Sequence, residues 1–168
     1  AIGTNALSDQ NFTTATNTYN TAVGYNAGAA TTTGQSNTLI GALCGDSLTT
    51  GTNNVGVGVH AIGNATLTGS FNTAVGFNAG SSTTSGANNL YLGHDAAVTG
   101  SPGGNRTSDS NGICFGAENI TVAHIQVSLT VASDERDKTD FVDLDLGLDF
   151  VKSLEPVTYY WDKRSKYG

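Results

Sequence analysis

With 168 residues the chain is long enough for one ordinary domain, yet 22 glycines, 12 % charged residues and no methionine are not the composition of an ordinary globule. A net charge of −7 without a basic stripe argues against nucleic acid as a partner. No apolar run reaches the roughly 18 residues needed for a membrane-spanning helix, so membrane insertion is not expected either.

In chain order, the first element is a repeat. Asn20-Thr21-Ala22-Val23-Gly24-Tyr25-Asn26-Ala27-Gly28 returns almost unchanged as Asn72-Thr73-Ala74-Val75-Gly76-Phe77-Asn78-Ala79-Gly80. Weaker copies begin at Asn37, Asn54 and Asn89, and Ala1-Ile2-Gly3 reads as the tail of one more. The glycine after the apolar residue falls at Gly24, Gly41, Gly58, Gly76 and Gly93, at spacings of 17, 17, 18 and 17. A fixed short period is the mark of a solenoid or fibre. Each copy reads as a short β-prone run, a glycine, Asn or Ala, and then a Thr/Ser/Gly-rich connector such as Ala30-Thr31-Thr32-Thr33-Gly34. We expect strand, turn, strand, turn, with one coil per repeat. The glycine permits a tight bend or a close approach of backbone between chains. Asparagine at one place in every coil can form a side-chain ladder.

Each repeat supplies few apolar side chains, too few to offset the entropy of ordering 17 residues. Coils sharing their aliphatic residues among several chains, as a homotrimer, are therefore expected. With only two prolines and almost no charge in the repeats, the low complexity does not read as disorder.

Residues 98–112 form a Gly-rich polar loop that interrupts the period. Asn111-Gly112-Ile113-Cys114-Phe115-Gly116 follows as a degenerate last repeat, and the loose alternation from Ile120 to Val131 predicts a strand or two closing the solenoid. Residues 1–132 hold six charged side chains, Asp9, Asp46, Asp95, Arg106, Asp109 and Glu118, whereas residues 133–168 hold fifteen. That break sets the expected organisation: a repeat shaft over 1–97, a loop and neck over 98–132, and a third segment over 133–168. In the third, residues 145–154 predict a short amphipathic helix stopped by Pro156, and Val157-Thr158-Tyr159-Tyr160-Trp161 is β-prone. The expected fold class is an all-β parallel β-roll or β-helix followed by a short α+β segment. No secretory signal is read, and the first residue falls inside a repeat, so the chain reads as a fragment.

The repeats resemble those of trimeric autotransporter adhesin heads and of many phage tail fibres, in which three chains form a parallel β-roll or interwound β-helix. Ser133-Asp134-Glu135-Arg136-Asp137-Lys138, with Gly147-Leu148-Asp149-Phe150-Val151-Lys152-Ser153-Leu154-Glu155-Pro156-Val157-Thr158-Tyr159, resembles the start of the self-cleaving intramolecular chaperone domain that ends many tail fibres and endosialidase tailspikes. Asp137 departs from it, standing where the family commonly has an apolar residue. The resemblance implies trimerisation, assisted folding of the fibre ahead, and release by a Ser–Lys dyad. Those roles map onto Ser133 and Lys138, with the scissile bond between Ala132 and Ser133. A desolvated lysine can accept the serine proton, and the reaction is a single intramolecular event. The implied function is a virion-tail or extracellular attachment shaft, with a host cell-surface glycan or protein as its receptor. The rival readings are a bacterial trimeric surface adhesin, an extracellular filament and a peptidase that acts once on itself.

No cofactor or metal motif is read. His60 and His94 stand at different offsets from the repeat glycine. Asp143, Asp145 and Asp149 lack the turn glycine of a calcium loop. Cys44 and Cys114 read as buried apolar side chains, with no spacing that supports a disulfide or metal role. Asn11, Asn64, Asn105 and Asn119 match the glycosylation pattern by chance in so Asn- and Thr-rich a chain. Tyr25, Phe77 and Tyr91 recur beside the repeat glycine and read as packing within the roll, or alternatively as a glycan-stacking surface. Six charged residues in 132 leave few acids for glycan cleavage.

Overall fold

The computed structural model describes residues 1–126 apart from Thr13, Asn64 and Pro102. The predicted helix and β-run of the C-terminal segment, Ser133, Lys138 and the bond after Ala132 lie outside the described residues.

Six three-residue strands form one parallel sheet in sequence order: β1 (Thr21–Val23), β2 (Thr38–Ile40), β3 (Val55–Val57), β4 (Thr73–Val75), β5 (Leu90–Leu92) and β6 (Ile113–Phe115). Successive strands pair at one repeat's offset, Val23 with Ile40, Ile40 with Val57, Val57 with Val75, Val75 with Leu92 and Leu92 with Phe115. Ile2 bridges Val23 in parallel, so the truncated first copy joins the same stack. The described residues form an all-β parallel solenoid in which each coil is a repeat, with no helix among them. β6 confirms the degenerate last repeat: the 98–112 loop lengthens one coil, and the strand re-enters the register beside β5.

The middle residue of each strand points into the coil. Ala22, Leu39, Ala74, Tyr91 and Cys114 are buried there, and Gly56 takes the same place in β3. The column varies in size, from Gly56 to Tyr91. A Cβ on Gly56 would lie 2.6 Å from Cys44 Sγ and 2.7 Å from Ile62 Cγ2, so the bulk that β3 lacks comes from across the coil. The facing wall is Ala27, Cys44, Ala61, Ala79 and Ala96, all fully buried. Small side chains there let the coil close around one large residue per layer, as close packing requires. Burial pushes the Cys44 thiol up to about 12, so it stays a neutral, inert hydrophobe at neutral pH.

Two expectations differ from the outcome. The connector half of the coil does not become a second strand; only Leu48 and Leu67 form an isolated bridge. The threonines there bond differently. Both N–H and Oγ1 of Thr32 donate to the Thr49 carbonyl (3.0 and 3.2 Å), and both of Thr49 donate to Leu67 (3.0 and 3.3 Å). Second, residues 120–126 carry no strand, and Ile120, Val122 and Ile125 are exposed. Alternation without a neighbour to pair with does not make a stable strand. Residues 127–131 of that stretch lie outside the described residues.

Candidate functional site: a buried asparagine ladder and an uncharged sheet face

Two columns, one of half-buried glycines and one of asparagines, fix where the outer surface lies. The first is the repeat glycine. Gly24, Gly41, Gly58 and Gly76 have φ between +134° and +138° or, at Gly58, +133°, a region closed to other residues. A Cβ at Gly58 would lie 2.5 Å from the Gly76 carbonyl oxygen, and one at Gly76 2.6 Å from that of Gly93. Gly93 has φ +104° and abuts Gly116. These glycines serve a close approach between successive coils of one chain. A second column of close approach, Gly34, Gly51, Gly69 and Gly86, runs through the connectors among other small residues.

The other column is the asparagine ladder. Asn37 N–H donates to Asn20 Oδ1 (2.8 Å), Asn54 to Asn37 Oδ1 (2.9 Å), Asn72 to Asn54 Oδ1 (2.9 Å) and Asn89 to Asn72 Oδ1 (3.1 Å). Each Nδ2 also donates to the preceding Oδ1 and across the coil to a connector carbonyl, from Asn37 to Gly51, Asn54 to Gly69 and Asn72 to Gly86. The amides of Asn37, Asn54 and Asn72 thereby use two donors and two acceptor sites, their full capacity. Gly112 ends the ladder, donating its N–H to Asn89 Oδ1 at 2.8 Å.

With the middle of each strand turned inward, the flanking residues turn out. Thr21, Thr38, Val55, Thr73, Leu90 and Ile113 make one outward column; Val23, Ile40, Val57, Val75, Leu92 and Phe115 make the next. Most are half-buried or exposed, although aliphatic. None of the six charged residues of 1–132 belongs to either column. At the start of each strand, one residue before the ladder position, Tyr19, Ser36, Asn53, Phe71, Asn88 and Asn111 all adopt left-handed backbone, with φ from +53° to +63°. A shallow groove of about 410 Å3 runs beside Phe71, lined also by Thr73, Leu90, Ile113, Asn88 and Asn111.

The three aromatics expected to behave alike do not. Tyr91 is a strand-centre residue and fully buried over Gly80, whereas Tyr25 and Phe77 directly follow the repeat glycine and are exposed. Their offset from the glycine carried that distinction. Phe77 stacks on His94, centroids 5.5 Å apart and planes 14° from parallel. His94 Nε2 lies 3.2 Å from Asp95 Oδ2. His60 sits near Asp46, whose carboxyl is raised by burial and held back by the histidine. The two histidines do not converge, and among the described residues no three His, Cys, Asp or Glu side chains group as metal ligands.

Among comparisons with known proteins, residues 133–168 match the family described as the chaperone of endosialidase. No match was found among curated proteins or among solved structures. The match begins at Ser133, where charge suddenly becomes abundant in the sequence. The described residues thus form a parallel β-solenoid, and the chain from Ser133 onward is similar to the endosialidase chaperone family.

Proposed function

We propose that this chain is a shaft segment of a phage tail fibre, built as a homotrimer and assembled with the help of its chaperone-family segment. The shaft projects toward the host and contacts a cell-surface glycan or protein from the virion tail. The observation that carries this reading is the outward column Val23, Ile40, Val57, Val75, Leu92 and Phe115, aliphatic or aromatic in every coil and free of charge. An exposed apolar stripe of this length marks an interaction surface. A second copy suits it because the same uncharged stripe repeats at the same heights in every copy. The endosialidase chaperone match favours a tail fibre over a bacterial surface adhesin. Native mass spectrometry of the purified chain is expected to give three copies. A compact single-copy species that melts cooperatively would overturn the reading.

A second activity is favoured by one observation: the family match starts at Ser133, the residue placed at the cut. In this reading the Ser133 hydroxyl attacks the Ala132 carbonyl while the Lys138 amine takes its proton; the C–N bond breaks as that proton passes to the Ser133 nitrogen, and water then hydrolyses the ester so formed, leaving a carboxylate on Ala132. Intact mass measurement on the full-length protein is expected to show a product ending at Ala132. Ser133→Ala should remove that product; an unchanged cleavage pattern sinks the idea.

A further inference from the structure

The coils of β1 and β4 share a feature absent from the others. Each strand is bracketed by aromatic rings: Tyr19 and Tyr25 around β1, Phe71 and Phe77 around β4. The corresponding pairs are Ser36 and Ala42, Asn53 and Val59, and Asn88 and His94 in the coils of β2, β3 and β5. All four rings are open to water, at 73, 54, 60 and 47 % in chain order. Tyr19 and Phe71 also hold left-handed backbone, φ +53° and +62°, which is ordinary for asparagine and an outlier for a bulky residue. A ring held in water on an unfavourable backbone is doubly disfavoured in an isolated chain. Such strain persists where the surroundings of the working protein reward it.

We propose that these side chains form two aromatic girdles between copies of the chain, Tyr19 of one copy meeting Tyr25 of the next, and Phe71 of one meeting Phe77 of the next. The inference rests on the three-copy reading and adds the contact that sets its register. Rotation about an axis along the coil stack preserves height, so the leading edge of one sheet face meets the trailing edge of its neighbour in the same coil. The bracketing positions are those two edges. The groove beside Phe71 offers a receptacle of about 410 Å3 for the incoming ring. The two girdles lie three coils apart, on the order of 14 Å at the spacing of adjacent strands. Stacking on a sugar fits less well. The two rings of a bracket stand at opposite ends of a three-residue strand, one before and one after it, a placement suited to two separate neighbours.

Paired cysteines in the full chain test this. Phe71→Cys with Phe77→Cys is expected, under mild oxidation, to give a disulfide-linked species of three copies on a non-reducing gel. Either single substitution should give no linked species, because the two edges differ. Phe71→Tyr with Phe77→Tyr recreates the bracket of β1 and should keep the wild-type assembly, which guards against reading a folding failure as a lost contact. A native mass of three copies with no cross-link from the double variant, or with linked pairs from a single one, overturns the girdle and leaves the trimer standing. A native mass of one copy overturns both. Loss of retention on a glycan array by Phe71→Ala with the trimer unchanged also overturns the girdle, assigning the ring to a sugar.

Discussion

Gly58→Ala is expected to abolish the stacked coils around β3, with a loss of about 4 kcal/mol or more in a denaturant or thermal melt. Two effects add. The backbone at Gly58 has φ +133°, which no L side chain adopts without strain. The new Cβ would also sit 2.5 Å from the Gly76 oxygen and 2.7 Å from its carbonyl carbon. These are backbone atoms of the next coil, so relief requires the coils to separate. Separation breaks the bonds from Gly76 N–H to Val57 and from Asn78 N–H to Val59, 2.8 and 3.1 Å. Gly104→Ala is the matching control: φ is +74°, but nothing lies within 4 Å of the added methyl. It should cost about 1–2 kcal/mol, the backbone penalty alone. Equal effects at the two sites would show that coil contact is not what the repeat glycine serves.

Asn54→Ala should cost about 3–6 kcal/mol, read in the same melts. The side chain sits in the middle of the ladder and is fully buried. Its loss leaves the Gly69 carbonyl without the Asn54 amide donor, and the Asn72 N–H and Nδ2 without their acceptor. Each buried group left without a partner costs roughly 1–3 kcal/mol. Asn54→Asp separates shape from chemistry. The carboxylate keeps the size and still accepts from Asn72, but it sets an acceptor against Asn37 Oδ1 and the Gly69 carbonyl. Only the protonated acid can donate there, so folding raises its pKa. The folded state then binds the extra proton, and stability falls as pH rises above the unfolded value of about 3.9. This variant should therefore be most stable in acid and weaken toward neutrality, whereas Asn54→Ala should show no such trend. A flat pH profile for Asn54→Asp would mean that the ladder's amide donors contribute little.

The asparagine ladder and the glycine column were legible because both are periodic and each needs one residue type. No other side chain combines two amide donors with a two-acceptor oxygen at that length, and no other residue fits φ near +135° against a neighbouring carbonyl. The second glycine column, through Gly34, Gly51, Gly69 and Gly86, keeps the same spacings of 17, 18 and 17 but stands among serines and threonines without an apolar run to mark it. The aromatic positions were misjudged as a group. Tyr91 stands two residues before its glycine and Phe77 one residue after, and in a pleated strand that shift of three exchanges inside for outside.

The sequence alone determined the solenoid, its period, and the coil-to-coil role of Asn20, Asn37, Asn54, Asn72 and Asn89. A one-dimensional repeat makes every layer report on the same few contacts. Only the tertiary structure decided which side chains fill the coil and which stand outside it. It placed Gly56 opposite Cys44 and Ile62, put Tyr91 inside, and left Tyr19, Tyr25, Phe71 and Phe77 on the surface. The physical reason is that a coil closes on a fixed volume. Which residue fills that volume depends on the wall across from it, some six or more positions away, and no local pattern specifies that wall.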